Sequence, residues 1–265
     1  MQSDPISDED VLAVKDVVKR YGGVQALGGV TVGFPHGSIT AIVGDNGAGK
    51  STLLKIMAGA EHADSGVVEL HREPIKLRSP EDAREAGIET VYQDLALADN
   101  LNATENFFMG RELKVGWGVF TFLKHRTMQA SAQQLIRQLN VRIPSVRVPV
   151  QGLSGGQRQG VAIARAVTWG SDVVLMDEPT AALGVAETAR VEETIAGLRE
   201  RGLTMVIVSH NLDQVFRLAD RVAVMRRGAL VDVLDARQAD AQHVVSLITG
   251  LAGATSGPAD EEAGT

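Results

Sequence analysis

Nine residues, GDNGAGKST at 44–52, hold the densest concentration of chemistry in the chain. They follow the apolar run ITAIV and precede a helical pattern through Leu53, Leu54 and Ile56 to Gly59. A glycine-rich turn between a strand and a helix is the context in which a P-loop binds phosphate. Gly44, Gly47 and Gly49 let the backbone of Asp45, Asn46, Ala48, Ser51 and Thr52 curl, so that its N–H groups and the helix N-terminus face an anion. Lys50 is spaced to reach the β and γ phosphates of a nucleotide, and the Ser51 hydroxyl to meet Mg²⁺.

Two further segments extend that chemistry. VVLMDEPT at 173–180 is an apolar strand ending in two carboxylates. Asp177 is a candidate Mg²⁺ ligand through water. Glu178 is a candidate to orient and polarise an attacking water, since nucleotide hydrolysis depends on positioning and charge stabilisation around the γ phosphate. Alone, such a strand is as often one entering a solvated turn; beside a P-loop it reads as hydrolytic. LSGGQ, comprising Leu153, Ser154, Gly155, Gly156 and Gln157, opens a second helix and forms a second phosphate-sized anion site. Its plainer alternative is an ordinary serine N-cap.

These segments need a scaffold that presents strand ends on one side. Short apolar runs at Ile39–Val43, Val67–Leu70, Ile88–Tyr92, Val173–Met176, Met205–Val208 and Val222–Met225 read as buried strands. Helical stripes appear at Met128, Ala132, Leu135, Ile136 and Leu139, and at Leu212, Val215, Phe216 and Ala219. The alternation predicts an α/β fold with a mainly parallel sheet covered on both faces. From about Leu95 to Val150 it breaks into a helix-rich insertion. Phe107, Phe108, Trp117, Phe120 and Phe122, half the aromatics of the chain, fall there. They are expected to form either the lobe's core or a partner surface.

Composition narrows the function without choosing it. The formal charge of −7 argues at face value against nucleic acid. Yet residues 1–10 and 251–265 carry the whole acidic excess, in Asp4, Asp8, Glu9, Asp10, Asp260, Glu261 and Glu262, and the segment between them is neutral. Both ends are expected to be disordered acidic tails. The absence of cysteine removes thiol catalysis and disulfide frameworks. No secretory leader and no membrane-spanning run is expected.

LSGGQ, following a P-loop and starting 24 residues before Asp177, resembles the signature of ABC ATPases, and the likeness covers about residues 11–250. The resemblance implies a P-loop NTPase fold with a mainly parallel core sheet, an N-terminal antiparallel β subdomain and a helical subdomain at about 95–170. It further implies that Tyr21 stacks on adenine, that Gln93 links Mg²⁺ to a transport partner, and that His210 is a switch histidine. Two copies would join head to tail as a homodimer, each P-loop facing the other's LSGGQ across one ATP. One departure stands out: Ala181, Ala182, Leu183 and Gly184 occupy a loop that in the family ends in Asp. TAALGVAET at 180–188, like NLNATENFFMGRE at 100–112, resembles the single-domain ATPases of monosaccharide (ribose, xylose, fructose-type) importers. The expected partners are a membrane permease and, indirectly, an extracytoplasmic sugar-binding protein, with the ATPase peripheral on the cytoplasmic face of the inner membrane. Other ABC classes, a non-sugar importer or a DNA- or ribosome-associated ATPase, are the alternative. Only 60 residues separate Gln93 from Leu153, too few for the coiled coils of DNA-acting forms, so no nucleic acid is expected.

Overall fold

The computed structural model describes residues 6–117 and 120–251, the side chains of Trp117 and Phe120 excepted. The chain opens with a long antiparallel pair, β1 (Asp10–Tyr21) and β2 (Val24–Pro35), then enters a second sheet as β3 (Ile39–Val43). It turns into α1 (Lys50–Met57) and returns to the first sheet as β4 (Ser65–Leu70) and β5 (Glu73–Ile75). After α2 (Pro80–Glu85) and β6 (Ile88–Val91) comes the inserted lobe: α3 (Ala103–Phe108), the hairpin β7 (Lys114–Trp117) and β8 (Phe120–Leu123), and α4 (His125–Gln138). Then follow α5 (Gly155–Ala166), β9 (Val173–Asp177), α6 (Val185–Glu200), β10 (Thr204–Val208), α7 (Leu212–Leu218), β11 (Arg221–Arg226), β12 (Ala229–Asp235) and α8 (Ala241–Thr249).

The sheets run β2-β1-β4-β5 and β12-β11-β3-β10-β9-β6. In the second, every pairing is parallel except β11 with β12. All five residues of β3 and of β10 are buried, as strands covered on both faces require. One apolar core lies under the helical lobe and the other between the two sheets. The register pairs Val208 with Asp177, and Val91 with Met176, so β10, β9 and β6 end together. Loops leaving that shared edge are where ligands of open α/β sheets collect.

Three expectations change. Asp10, assigned by sequence to an acidic tail, opens β1 and is buried, its carboxylate accepting from the Ser7 N–H and facing Arg221 at 3.8 Å. The rest of the expected tails lies largely outside the described residues, at 1–5 and 252–265. The insertion is not wholly helical. It carries the β7–β8 hairpin, where Val115, Trp117, Phe120 and Phe122 supply the β-branched and aromatic residues strands favour. The aromatic cluster also divides: Phe107 and Phe108 are buried core, whereas Phe122 is exposed.

Candidate functional site

The turn between β3 and α1 explains its glycines. Gly44 has φ 153° and a Cβ there would stand 2.2 Å from the Met225 carbonyl oxygen; at Gly49, φ 100°, it would meet the Ala26 carbonyl at 2.6 Å. Side chains at these positions would both strain and clash, which fixes glycine at each. Gly49 is the N-cap of α1 and offers no side-chain acceptor. The first intrahelical bond there runs from Leu53 N–H to the Gly49 carbonyl, so the N–H groups of the opening turn are left for a ligand. A cleft of about 510 Å³ opens beside the loop, lined by Asp45, Asn46, Gly47, Ala48, Arg226 and Arg227. Lys50 is folded back over the loop, donating to the carbonyls of Gly44 at 2.8 Å and Asp45 at 2.9 Å. Burial pushes its ammonium below the usual lysine value, against the pull of Glu178, Asp45 and Asp177.

Asp177 ends β9 and Glu178 begins the following turn. Burial raises the Asp177 carboxyl, Glu178 beside it adds to the rise, and Lys55 and Lys50 oppose it. Glu178 sits at φ 52°, a left-handed conformation for a residue with a side chain, held by its N–H to the Val208 carbonyl at 2.9 Å. Its carboxylate accepts from His210 Nδ1 at 2.5 Å. The candidate water-polarising acid and the candidate switch histidine are therefore in direct contact, supplied by the loops after β9 and β10. Gln93, exposed, follows β6, the strand next to β9. Tyr21 ends β1 and donates its hydroxyl to Glu61 at 3.0 Å.

LSGGQ forms the N-terminus of α5 as a capping box: Ser154 Oγ accepts from the Gln157 N–H, and the Gln157 side chain accepts from the Ser154 N–H. The glycines have a steric reason here too. A Cβ on Gly156 would stand 2.9 Å from Glu187 Cβ of α6. Among the described residues no hydrogen bond or ion pair joins Leu153–Gln157 to residues 44–52; the segment bonds instead to Glu187 and to the Arg142 carbonyl. Among the described residues the two helix starts, both expected to face anions, thus share no hydrogen bond or ion pair within one chain. At Gly184, the N-cap of α6, a Cβ would meet nothing within 4 Å, so nothing inside the chain forbids the family's Asp.

Sequence reasoning missed Gln214. It is 1% exposed, accepts from the Ser209 hydroxyl at 3.1 Å and donates to Thr180 Oγ at 2.7 Å, bridging the loop after Glu178 to the loop that holds His210. The sequence carried no clear signal, since Gln214 lies off the Leu212, Val215, Phe216 and Ala219 stripe and is buried beside Val215 and Leu218 only in the fold. Replacing it with alanine takes the donor from the Thr180 hydroxyl and the acceptor from the Ser209 hydroxyl, which keeps only the Asn211 N–H, and the expected cost is about 1–3 kcal/mol of stability. Because the bridge aligns Glu178 with His210, kcat is expected to fall about tenfold with KM for nucleotide unchanged. Steady-state kinetics and thermal unfolding check the two halves separately.

The family model described as ABC transporter matches residues 27–181. The chain belongs to the ABC transporter family. It is 44% identical over 249 residues to the fructose import ATP-binding protein FrcA of Rhizobium meliloti, covering 92% of this chain and 96% of that one. It is 40% identical to the xylose/arabinose import ATP-binding protein XylG of Sulfolobus acidocaldarius, covering 92% and 95%. Among solved structures, cbiO1 of Clostridium perfringens, part of an ABC transporter complex, aligns with a TM-score of 0.75 at 25% identity over 92% of this chain and 95% of that one. The dimeric bacterial cassette MJ0796 aligns with a TM-score of 0.72 at 25% identity, over 86% and 100%.

Proposed function

We propose that this cassette is the ATP-hydrolysing subunit that powers import of a monosaccharide through a membrane permease. The observation that carries the ATPase half is the Glu178–His210 contact, on the sheet edge where β9 places Asp177 and beside the P-loop lysine. The sugar half is supported by the import proteins to which the chain is similar along nearly its whole length.

Mg²⁺ suits the donors present. Ser51 hydroxyl, Asp177 carboxylate and Gln93 amide oxygen are hard oxygen groups of the kind Mg²⁺ prefers. Among the described residues no cluster of three or more His, Asp or Glu could cage a metal, which fits an ion that shares its coordination with nucleotide phosphates. When bound by Ser51, Asp177 and Gln93, Mg²⁺ would supply positive charge against the charge developing on the γ phosphate. The chain's own groups do the rest. The loop N–H groups and Lys50 hold the triphosphate, Glu178 takes the proton of the attacking water, and His210 keeps the Glu178 carboxylate turned toward it.

Two copies, each closing its P-loop on the other's LSGGQ, would bring the separate anion sites together, and the likeness to a dimeric cassette supports that arrangement. Permease docking is supported by a groove of about 340 Å³ between α2, β6 and the lobe. In it Glu89 lies among Arg84, Arg111 and Arg165, with Arg111 over the Trp169 ring at 5.3 Å. No helix among the described residues is long and apolar enough to cross a membrane.

The test is phosphate release with Mg-ATP together with detergent pull-down from membranes. Recovery only with ribosomes or nucleoids would overturn the importer reading. The lobe divides the same way: Phe107→Ser is expected to cost about 3–5 kcal/mol of stability as a core truncation. Phe122→Ser is expected to leave melting unchanged and to reduce permease capture if β8 lies at the interface.

A further inference from the structure

Resting on the ATPase reading, one cluster beside the P-loop has a use that reading does not assign. Tyr21 stands at the end of β1, half exposed, and three groups hold it. Its hydroxyl donates to Glu61 Oε2 at 3.0 Å, and the Thr52 hydroxyl, in the first turn of α1, faces the same phenol oxygen. The Lys19 ammonium lies 5.2 Å from the ring centroid. Lys19 is itself buried and fixed: it donates to Glu61 Oε1 at 2.8 Å and to the His62 carbonyl at 2.7 Å, with Asp64 at 3.8 Å. Asp64 in turn accepts from the Arg20 N–H at 2.7 Å and donates its own N–H to the Val18 carbonyl at 2.8 Å. The loop after α1 is thereby stitched to the end of β1 on both sides of the tyrosine.

We propose that Lys19 and Glu61 are positioning residues that lock Tyr21 as a one-sided platform for the nucleotide base. Lys19 occupies one face of the ring, so a base stacks on the other. Glu61 fixes the ring's tilt by holding its hydroxyl and, through Lys19, its covered face. Its carboxyl is held down at about 2, by the Lys19 bond first and the Tyr21 bond second, so it is a full acceptor wherever the enzyme operates. A freely rotating tyrosine would lose entropy each time a base stacked on it; a ring already fixed does not.

The test compares ATP with inorganic tripolyphosphate, which fills the phosphate loop but has no base. Stacking of a base on an aromatic ring is worth about 1–3 kcal/mol. Tyr21→Ala is therefore expected to raise KM for ATP about tenfold or more. Glu61→Ala and Lys19→Met are expected to raise it about three- to tenfold with kcat unchanged, and inhibition by tripolyphosphate is expected to stay at wild-type strength. Combining Glu61→Ala with Tyr21→Phe is expected to do little more than either alone, because both release the same hydroxyl. If Tyr21→Ala raises KM while Glu61→Ala and Lys19→Met leave it unchanged, the positioning role is overturned and the platform survives. If Tyr21→Ala has no effect, the platform itself is overturned. Equal weakening of ATP and tripolyphosphate would make the cluster a support of the loop fold and likewise overturn the proposal. None of these outcomes bears on whether the wild-type chain hydrolyses ATP, which is measured first.

Discussion

Glu178→Gln is expected to lower kcat for ATP hydrolysis by about 100- to 10,000-fold while leaving ATP binding intact. Glutamine has nearly the same size and the same carbonyl-type acceptor, so the left-handed turn at φ 52°, the N–H bond to the Val208 carbonyl and the contact with His210 can all persist. What disappears is the ability to accept a proton from water. The phosphate loop is untouched, so nucleotide accumulates unhydrolysed. If ATP joins two copies, the variant should then run as a dimer in ATP and as a monomer without it. Single-turnover hydrolysis and gel filtration measure the two effects. A loss of less than tenfold in rate would move the general base elsewhere, and a monomer at saturating ATP would count against nucleotide-bridged dimerisation.

Lys50→Ala is expected to act one step earlier. The ammonium bonds to the Gly44 and Asp45 carbonyls, and a triphosphate would replace neutral acceptors with charged ones. Hydrogen bonds to charged groups are worth about 1.5–3 kcal/mol, so ATP affinity should fall about 10- to 100-fold and hydrolysis should drop to background. Melting temperature without nucleotide is expected to hold, because burial already disfavours the charged lysine in the folded chain. The sign follows from linkage: a lysine with a depressed folded value opposes folding while it is charged, so its loss removes a burden. The same depression predicts that ATP affinity declines on the alkaline side at a lower pH than an ordinary lysine would dictate, and that this limb is absent in Lys50→Ala. Lys50→Arg should not rescue, since a planar guanidinium cannot reproduce a compact point charge at the loop's centre. Isothermal titration across pH decides. Wild-type affinity in Lys50→Ala would sink the assigned role.

The two variants also separate the steps they affect. The glutamine variant binds ATP normally and turns over slowly, whereas the alanine variant binds ATP about 10- to 100-fold more weakly, so at moderate ATP the first should associate and the second should not. Gln214→Ala is expected to be milder than either, lowering the rate through alignment alone while ATP binding holds.

Much of the site was legible because its parts are local. GDNGAGKST between ITAIV and an apolar helical stripe specifies its own conformation: the glycines are needed where φ is positive and neighbouring carbonyls crowd in, and the helix start exposes its N–H groups. The central strands were legible for a related reason, since strands buried on both faces appear as unbroken apolar runs such as Val173–Met176. β1 opens with one such run, Val11–Val14, but it covers only a third of the strand, and β2 has none. Their pairing is interrupted by register shifts around Val14–Val18 and Lys19–Arg20, which break the two-residue alternation that marks a half-buried strand. The β7–β8 hairpin was lost among helices because each strand has only four residues. Asp10 reads as one acid among several until β1 and the Arg221 side chain surround it.

The sequence by itself determined the phosphate loop, the Asp177–Glu178 pair at a strand end, the LSGGQ helix start and the α/β class, because each follows from contiguous residues and their preferred dihedrals. Tertiary structure alone decided which of these groups touch. Glu178 meets His210, Gln214 bridges to Thr180 across 34 positions, and Tyr21 is fixed by Glu61 across 40, each brought together by strands that end on one edge or by loops laid across a neighbouring sheet. Such contacts are set by how sheets stack and strands order, and no local preference of the chain encodes that order.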